Sequence, residues 1–291
     1  MALILDAVLT GVFTGGIYAL MASGLTLVFG VMDIINVGQG ALVILGAYLS
    51  YLLQRDYNID LFLGLLVTMP AMFLLGLFLE RAFIRPIKRD RTTLSILVTF
   101  AISLIIEGLL GIAFTTNMVQ SQAWYVTASF QVGTYYIAYI YVFVFLLSVV
   151  LLGGLYLILY RTKFGASLLA SMQDRTAAQL IGIDVERVSM ITFGIGVALA
   201  AAGGMAYGAT YSFNPGSLYD LISRLLVIII LGGMGSLRGA LVASVGMLII
   251  EDVTSVVWSP VWATTVFFVL LVVVMVVRPQ GLFGRVAGRK Q

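Results

Sequence analysis

Nine apolar segments, separated by short polar loops, occupy most of this chain. They lie at about 4–29, 39–54, 61–83, 94–116, 137–160, 188–211, 218–233, 238–257 and 261–278. A run of about 20 apolar residues matches the hydrocarbon thickness of a bilayer, and backbone inside lipid must satisfy its own hydrogen bonds. Only 10% of the 291 residues are charged, against roughly a quarter in a soluble domain. The sequence therefore predicts an all-α, polytopic helical bundle with about 8–9 transmembrane segments, forming one domain over residues 1–291.

The residue types that are missing exclude several kinds of chemistry. The chain has no Cys and no His, which excludes disulfides, thiolate nucleophiles, typical zinc sites and His-based triads. It has no Gly-x-x-x-x-Gly-Lys-Ser/Thr run, so it does not bind ATP phosphates in the P-loop manner. We therefore expect no catalytic residues, no metal and no cofactor bound by this chain. Its basic residues lie beside membrane segments, so the net charge of +3 does not indicate nucleic-acid binding.

The basic residues also predict the orientation of the bundle. Lys and Arg cluster in 81–91, in 161–187 and after residue 277, whereas 117–136 and 212–219 contain neither. The positive-inside rule places the three basic regions in the cytoplasm and the two uncharged loops outside. The C-terminus is then cytoplasmic and the N-terminus lies outside the cytoplasm.

Two glycine-rich interruptions break this apolar pattern, "GVMDIINVGQGALV" at 30–43 and "GGMGSLRGALV" at 232–242. Each adjoins an apolar segment that is short for a full crossing. Irregular backbone at membrane depth must be buried in protein or line a polar cavity, and such interruptions in both halves of a transporter point to its transport path. We therefore predict two broken or re-entrant helices. Their glycines are Gly30, Gly38, Gly40, Gly232, Gly233, Gly235 and Gly239.

Four polar residues in apolar surroundings are candidates for a substrate pathway: Asp33, Asn36, Gln39 and Glu107. Asn36 and Gln39 are neutral donors and acceptors suited to weak, transient binding of a polar solute. Alternatively, both amides cap the backbone freed by the break. Glu107 lies in the middle of an apolar segment, where a carboxylate costs on the order of 3 kcal/mol, so it should face the bundle interior. It either lines the path or is protonated and hydrogen-bonded between helices.

The polar stretch 161–188, "RTKFGASLLASMQDRTAAQLIGIDVERV", has helical spacing but is too polar to span a membrane. Phe164, Leu168 and Met172 recur every four residues. Gly182 suits the end of one helix and Asp184 the N-cap of the next. The stretch is predicted to form one or two short amphipathic helices at the membrane surface, unless it is only a solvated connector.

This stretch resembles the coupling loop of bacterial ATP-binding-cassette (ABC) importer permeases. The resemblance rests on a Gly, an Asp-Arg-x-Ala-Ala run and Gly-Ile-Asp. It implies that 165–182 docks on an ATPase subunit. The residues that it assigns to this coupling are Gly165, Leu168, Met172, Asp174, Arg175, Ala177 and Gly182.

Three stretches together resemble the shorter permease subunit of the high-affinity branched-chain amino acid ABC transporters. They are "GGIYALMASGLTLVFGVMDIINVGQGALVILGAYLSY", "DRTAAQLIGIDVERVSMITFGIGVALAAAGGMAYG" and "LGGMGSLRGALVASVGMLIIED". The resemblance implies a permease of the bacterial inner membrane. Its partners would be a second homologous permease, two cytoplasmic ATPases that bind ATP and Mg²⁺, and a periplasmic binding protein.

Two departures from the family pattern leave the substrate open. The usual Phe-Ala-His-Gly-Glu after Asn36 is replaced by Val-Gly-Gln-Gly-Ala at 37–41, and Arg238 stands where Pro is common. Related permeases carry urea, short amides or aromatic acids. A different class, a stand-alone secondary transporter, would use Asp33 and Glu107 for proton coupling, but it gives the amphipathic stretch 161–188 no purpose.

Overall fold

The computed structural model describes residues 2–87, 90–132 and 135–284. Its twelve α-helices are α1 Ala2–Met32, α2 Gln39–Tyr57, α3 Leu61–Leu79, α4 Arg91–Phe114, α5 Trp124–Thr127, α6 Tyr139–Arg161, α7 Lys163–Gln173, α8 Arg175–Leu180, α9 Val185–Thr210, α10 Leu218–Gly232, α11 Leu237–Val257 and α12 Pro260–Val277. A π-helical turn, Glu80–Ile84, extends α3, and a 3₁₀ turn, Pro215–Ser217, precedes α10. Two short strands, β1 Ser129–Val132 and β2 Tyr135–Ala138, pair antiparallel.

The prediction of an all-α membrane bundle is confirmed. Each of the nine apolar segments corresponds to a long helix, and eight of these helices are long and apolar enough to cross a membrane. The remaining one, α2, carries Gln39, Gln54, Arg55 and Asp56, and its first half is buried inside the bundle. Some of the basic residues behind the orientation prediction fall outside the described residues: Lys88, Arg89, Arg285, Arg289 and Lys290.

The centre of the bundle is formed by α1, α2 and α9, and small residues let their backbones approach closely. A methyl group on Gly24 of α1 would lie 2.6 Å from the carbonyl oxygen of Gly196 in α9. A methyl group on Gly46 of α2 would lie 2.5 Å from the Cα of Ala201. Helices in lipid gain little from hydrophobic burial, so such close van der Waals contact is a main source of their association.

The outer helices present aliphatic side chains to their surroundings. On α12, for example, Val272 and Val276 are 61% and 79% exposed. Similar exposed apolar residues lie on α3, α4 and α6. An exposed apolar surface of this extent is unfavourable in water but is favourable in contact with the hydrocarbon of a bilayer.

The loops gather at two opposite ends of the bundle. One, the β end, contains α5, β1 and β2. There the hydroxyl of Tyr125 donates to Asp60 at 2.9 Å, and the Gln122 N–H donates to Gln54 Oε1 at 3.1 Å. Burial raises the pKa of Tyr125, and the hydrogen bond to Asp60 raises it further. The other, the α7 end, contains α7 and α8.

At the α7 end, Arg85 and Glu186 form an ion pair that joins the turn after α3 to the start of α9. Two of the basic regions identified in the sequence, 81–91 and 161–187, therefore lie at the same end of the bundle. This matches the prediction that they share one side of the membrane.

Candidate functional site: two broken helices beside a surface loop

The first predicted break is present between α1 and α2. After Met32 the backbone turns at Asp33, which has a left-handed φ of 55° and is exposed. Residues 33–38 then run alongside α4. The Thr92 hydroxyl donates to the Asp33 carbonyl at 3.3 Å, and the Val37 N–H donates to Thr99 Oγ1 at 3.2 Å. Thus α4 supplies partners for backbone that has left the helix.

The row of small hydroxyl residues on α4 that faces this break was not identified from the sequence. Ser95, Thr99 and Ser103 are spaced four apart, so they lie on one helix face, and all three are at most 1% exposed. Their four-residue spacing on an otherwise apolar segment was the feature of the sequence that could have predicted this row. Glu107 continues the same spacing one turn further along.

The two amides at the break bond to each other and to α9. Asn36 Nδ2 donates to Gln39 Oε1 at 3.1 Å, and Gln39 Nε2 donates to the Gly196 carbonyl at 3.3 Å. They are 1% and 0% exposed. The interpretation that both cap the backbone freed by the break is wrong, because Asn36 bonds to the Gln39 side chain and Gln39 bonds to a carbonyl of α9. The amides instead form a buried polar bridge from the break to the middle of α9.

The second predicted break lies between α10 and α11. Gly233 and Gly235 have φ angles of 92° and 80°, which other residues adopt only with strain. Ser236 then begins α11 by accepting a hydrogen bond from the Gly239 N–H at 3.1 Å. A methyl group on Gly239 would collide with the carbonyl group of Gly232. Because neither Gly232 nor Gly239 has a side chain, α10 and α11 can meet at this break.

The segment after α12 returns to the second break, a contact that the sequence did not reveal. The Leu282 N–H donates to the Leu231 carbonyl at 2.7 Å, and the Phe283 N–H donates to the Gly232 carbonyl at 3.3 Å. These bonds satisfy two of the last carbonyls of α10, which a helix end otherwise leaves without partners.

Both breaks meet the surface loop at the α7 end. A methyl group on Gly30, near the end of α1, would overlap the terminal methyl of Met172 in α7 and would lie 3.5 Å from the Cα of Gly235. A cavity of about 1050 Å³ opens at this point. Charged residues from both breaks and from the loop line it: Asp33, Asp174, Arg175 and Arg238.

The surface loop itself consists of α7 and α8. Gly165 is buried, and a side chain there would collide with the Leu159 carbonyl, so glycine permits the sharp turn from α6. Leu168 is 1% exposed and packs on the bundle. Asp174 is the N-cap of α8 and accepts from the N–H groups of Thr176 and Ala177 at 2.8 and 3.0 Å. Gly165, Leu168 and Asp174 therefore shape the loop.

Two apolar side chains at the tip of this loop make few contacts with the residues that the structure describes. Leu180 is 83% exposed and Ile181 is 75% exposed, while Gly182 follows with a φ of 87°. Ala177, one turn earlier, is also exposed. Leu180 and Ile181 were not among the predicted coupling residues, which included Leu168 from this stretch.

Glu107 is hydrogen-bonded between helices, since its carboxylate accepts from the Tyr219 hydroxyl of α10 at 2.6 Å. Also on α10, Arg224 binds both Asp220 at 2.9 Å and Glu251 of α11 at 2.6 Å. Among the described residues, no group of three or more acidic side chains could hold a metal ion.

Comparison with known proteins gives the family. The sequence profile described as "Branched-chain amino acid transport system / permease component" matches residues 7–275. The high-affinity branched-chain amino acid transport system permease protein LivH of Salmonella typhimurium is 26% identical over 97% of this chain and 96% of its own length. The permease protein LivM of the same organism is 26% identical over 91% of this chain and 67% of its own length. The fold is similar to that of PsaBC from Streptococcus pneumoniae in complex with Fab, with a TM-score of 0.50, 12% identity, and coverage of 96% of this chain and 94% of that one. The chain therefore belongs to the permease component family of branched-chain amino acid transport systems.

Proposed function

We propose that this chain is the permease subunit of an ABC importer whose ATPase subunits dock on α7 and α8, and that it carries a branched-chain amino acid or a related small polar solute. Membership of the family and the likeness to LivH support the class of transporter. Because the chain departs from the family pattern at 37–41 and at Arg238, the solute must be identified by measurement.

The observation that carries the docking proposal is the exposure of Leu180 and Ile181. They lie beyond the membrane-spanning helices, at the tip of a loop that the described part of the chain leaves uncovered. A partner that covered them would gain about 1.5–3 kcal/mol for each of these side chains that it buried fully. Arg175 and Ala177 belong to the same short helix, α8, and would complete the contact.

The contact between Met172 and Gly30 supports a route from the docking surface to the transport path. A movement of α7 would press on α1 one turn before the first break, and Gly235 of the second break lies against the same glycine. Both breaks would then respond to one displacement. Asn36 and Gln39 are the proposed pathway residues that this displacement uncovers, since in this structure they are buried and bonded to each other.

The partners and orientation follow from the same assignment. ATP and Mg²⁺ would be bound by two cytoplasmic ATPases at the α7 end, so this chain itself would catalyse nothing and hold no cofactor. A periplasmic binding protein would deliver the solute at the β end, so the N-terminus would lie in the periplasm and the C-terminus in the cytoplasm. A second, homologous permease would complete the membrane part, and the likeness to LivM supports a partner of that kind.

Co-purification from native membranes tests the docking proposal. We expect ATPase subunits to accompany the wild-type chain and to be lost from Leu180→Asp and Ile181→Asp. Met118→Asp is the matched control, because Met118 is a similarly exposed apolar residue (65%) before the β end. If the wild-type chain purifies alone and moves solute in proteoliposomes without ATP, the importer assignment is wrong.

A further inference from the structure

One face of α3 is apolar and exposed along most of the helix, and it ends in an arginine. Val67, Leu74 and Phe78 are 53%, 63% and 59% exposed. Their spacing of seven and four residues places them on one side of the helix. Arg81 follows Phe78 by three residues, in the π-helical turn that extends α3, and is also exposed. This face, the α3 stripe, therefore runs along a membrane-crossing helix to a positive charge at its end.

Arg81 lines a cavity of about 290 Å³ at the α7 end of the bundle. Arg85, which follows the same turn, and Arg187 of α9 line it too. Two carboxylates also belong to the lining, those of Asp184 and Glu186. Side chains from the end of α3 and from the start of α9 therefore bring three guanidinium groups to one opening.

The two carboxylates of this lining already have arginine partners. Glu186 pairs with Arg85, and Asp184 pairs with Arg187 at 2.9 Å. Among the residues that the structure describes, Arg81 has no ion-pair partner. The lining thus carries three positive and two negative charges. Exposed ion pairs are weak, so an anion that reaches Arg81 can also share the other two guanidinium groups.

A phosphodiester attached to a hydrocarbon chain fits both features. Guanidinium groups bind phosphate oxygens through two parallel hydrogen bonds, and basic pockets between membrane helices bind lipid headgroups. The α3 stripe leads from Arg81 into the membrane, where its exposed side chains favour contact with hydrocarbon. A free phosphate ion would occupy the cavity alone, whereas a lipid occupies the cavity and the stripe together.

We propose that this cavity, the arginine cavity, binds the phosphodiester headgroup of an anionic phospholipid whose acyl chain lies along the α3 stripe. The net positive charge favours an anionic lipid over a zwitterionic one, because the arginines repel the ammonium group of the latter. The headgroup bridges the turn after α3 and the start of α9, which the Arg85–Glu186 pair already joins. A ligand that binds only the folded chain stabilises it. The proposal goes beyond the proposed function and requires only that α3 crosses a membrane.

Lipid binding to the purified full chain, together with any subunits that co-purify, tests the proposal. The probe is short-chain phosphatidylglycerol added in detergent, with bound lipid counted by native mass spectrometry and thermal unfolding followed in parallel. We expect saturable binding and a rise in the unfolding temperature. Arg81→Gln should weaken this binding by about tenfold, the factor expected for the loss of a hydrogen bond between charged groups.

Arg161→Gln is the matched control. Arg161 is an exposed arginine that ends α6 at the α7 end of the bundle, and it too has no ion-pair partner among the described residues, but it does not line the cavity. Its replacement should leave phosphatidylglycerol binding unchanged. Arg81→Lys should bind with intermediate affinity, because lysine keeps the charge but loses the paired hydrogen bonds.

Four results would each overturn the proposal. Equal weakening by Arg161→Gln would show that binding reflects only the general charge of this end. Equally tight binding of short-chain phosphatidylcholine would show that the net charge plays no part. Equally tight binding of inorganic phosphate or glycerophosphoglycerol would assign the cavity to a soluble phosphate compound. Loss of ATPase subunits from Arg81→Gln with unchanged phosphatidylglycerol binding would assign Arg81 to an ATPase contact.

Discussion

Met172 of α7 fills the space beside Gly30 of α1, so that any side chain at position 30 would overlap the terminal methyl of Met172. The contact joins the surface loop to the helix that ends at the first break. Gly235 of the second break lies against the same glycine. One side chain of the surface loop therefore reaches the point where the two breaks meet.

The first prediction concerns this contact. Gly30→Leu should force the Met172 side chain out of its place between α7 and α1 and lower ATP-dependent uptake by about tenfold or more, a factor that corresponds to about 1.4 kcal/mol. Met172→Ala in the same chain should restore much of the uptake, because it removes the group that collides. Uptake by reconstituted complex measures both. Gly153→Leu is the control, since the space around Gly153 in α6 is open. No rescue by Met172→Ala would show that the contact does not carry the effect.

The second prediction concerns the hydroxyl that holds the first break. Thr99→Val keeps the shape of the side chain but removes one of the two acceptors of the Val37 N–H, which also donates to the Ile35 carbonyl at 3.2 Å. A hydrogen bond contributes about 0.5–1.5 kcal/mol, so the thermal unfolding temperature in detergent should fall. Thr99→Ser should retain most of the stability because it keeps the hydroxyl.

Thr93 offers a matched control on the same helix, since it is exposed and one turn and a half from Thr99. Thr93→Val should leave the unfolding temperature unchanged. Equal loss from both Val variants would mean that the change reflects helix α4 in general and not the break.

The third prediction concerns the buried amide bridge. Gln39→Glu places a carboxyl oxygen where Nε2 donates to the Gly196 carbonyl, so a hydrogen bond becomes a contact between two acceptors at a site that is 0% exposed. Uptake should fall by about tenfold or more, the factor expected for a loss of about 1.4 kcal/mol. Gln122→Glu, at an exposed position near the β end, should have no effect. If the Gln39→Glu variant takes up solute at the wild-type rate, the amide bridge is not part of the transport path.

The sequence predicted local features well, because they depend on neighbouring residues. Apolar runs marked the helices, glycines marked both breaks, and Asp184 is the N-cap of α9, accepting from the Arg187 N–H at 3.0 Å. The contacts that build the candidate site join distant residues. Thr99 and Val37 are 62 residues apart, and Gln39 and Gly196 are 157 apart. Neither spacing nor hydropathy encodes which distant partner a polar group meets, since that depends on how the helices pack.

The same limit applied to the surface loop. Its helical spacing gave α7 and α8, but it could not say which apolar residues face the bundle. Leu168 packs inward, whereas Leu180 is almost fully exposed, although both are leucines of the same amphipathic stretch. The reason is that Asp174 begins a new helix, so the helical face followed along α7 does not continue into α8.

The last prediction separates the two possible roles of Asp174. As the N-cap of α8, it could act only by holding the helix, and Asn performs that task nearly as well as Asp. If the cap is what matters, Asp174→Asn should retain the ATPase subunits during co-purification, while Asp174→Ala should lose about 1 kcal/mol of local stability and retain fewer. Retention should then follow the cap and not the charge. Equal loss from both variants would show that the carboxylate itself contacts the ATPase. Arg175→Ala, which leaves the cap intact, should weaken retention by itself, because Arg175 is proposed to contact the ATPase directly.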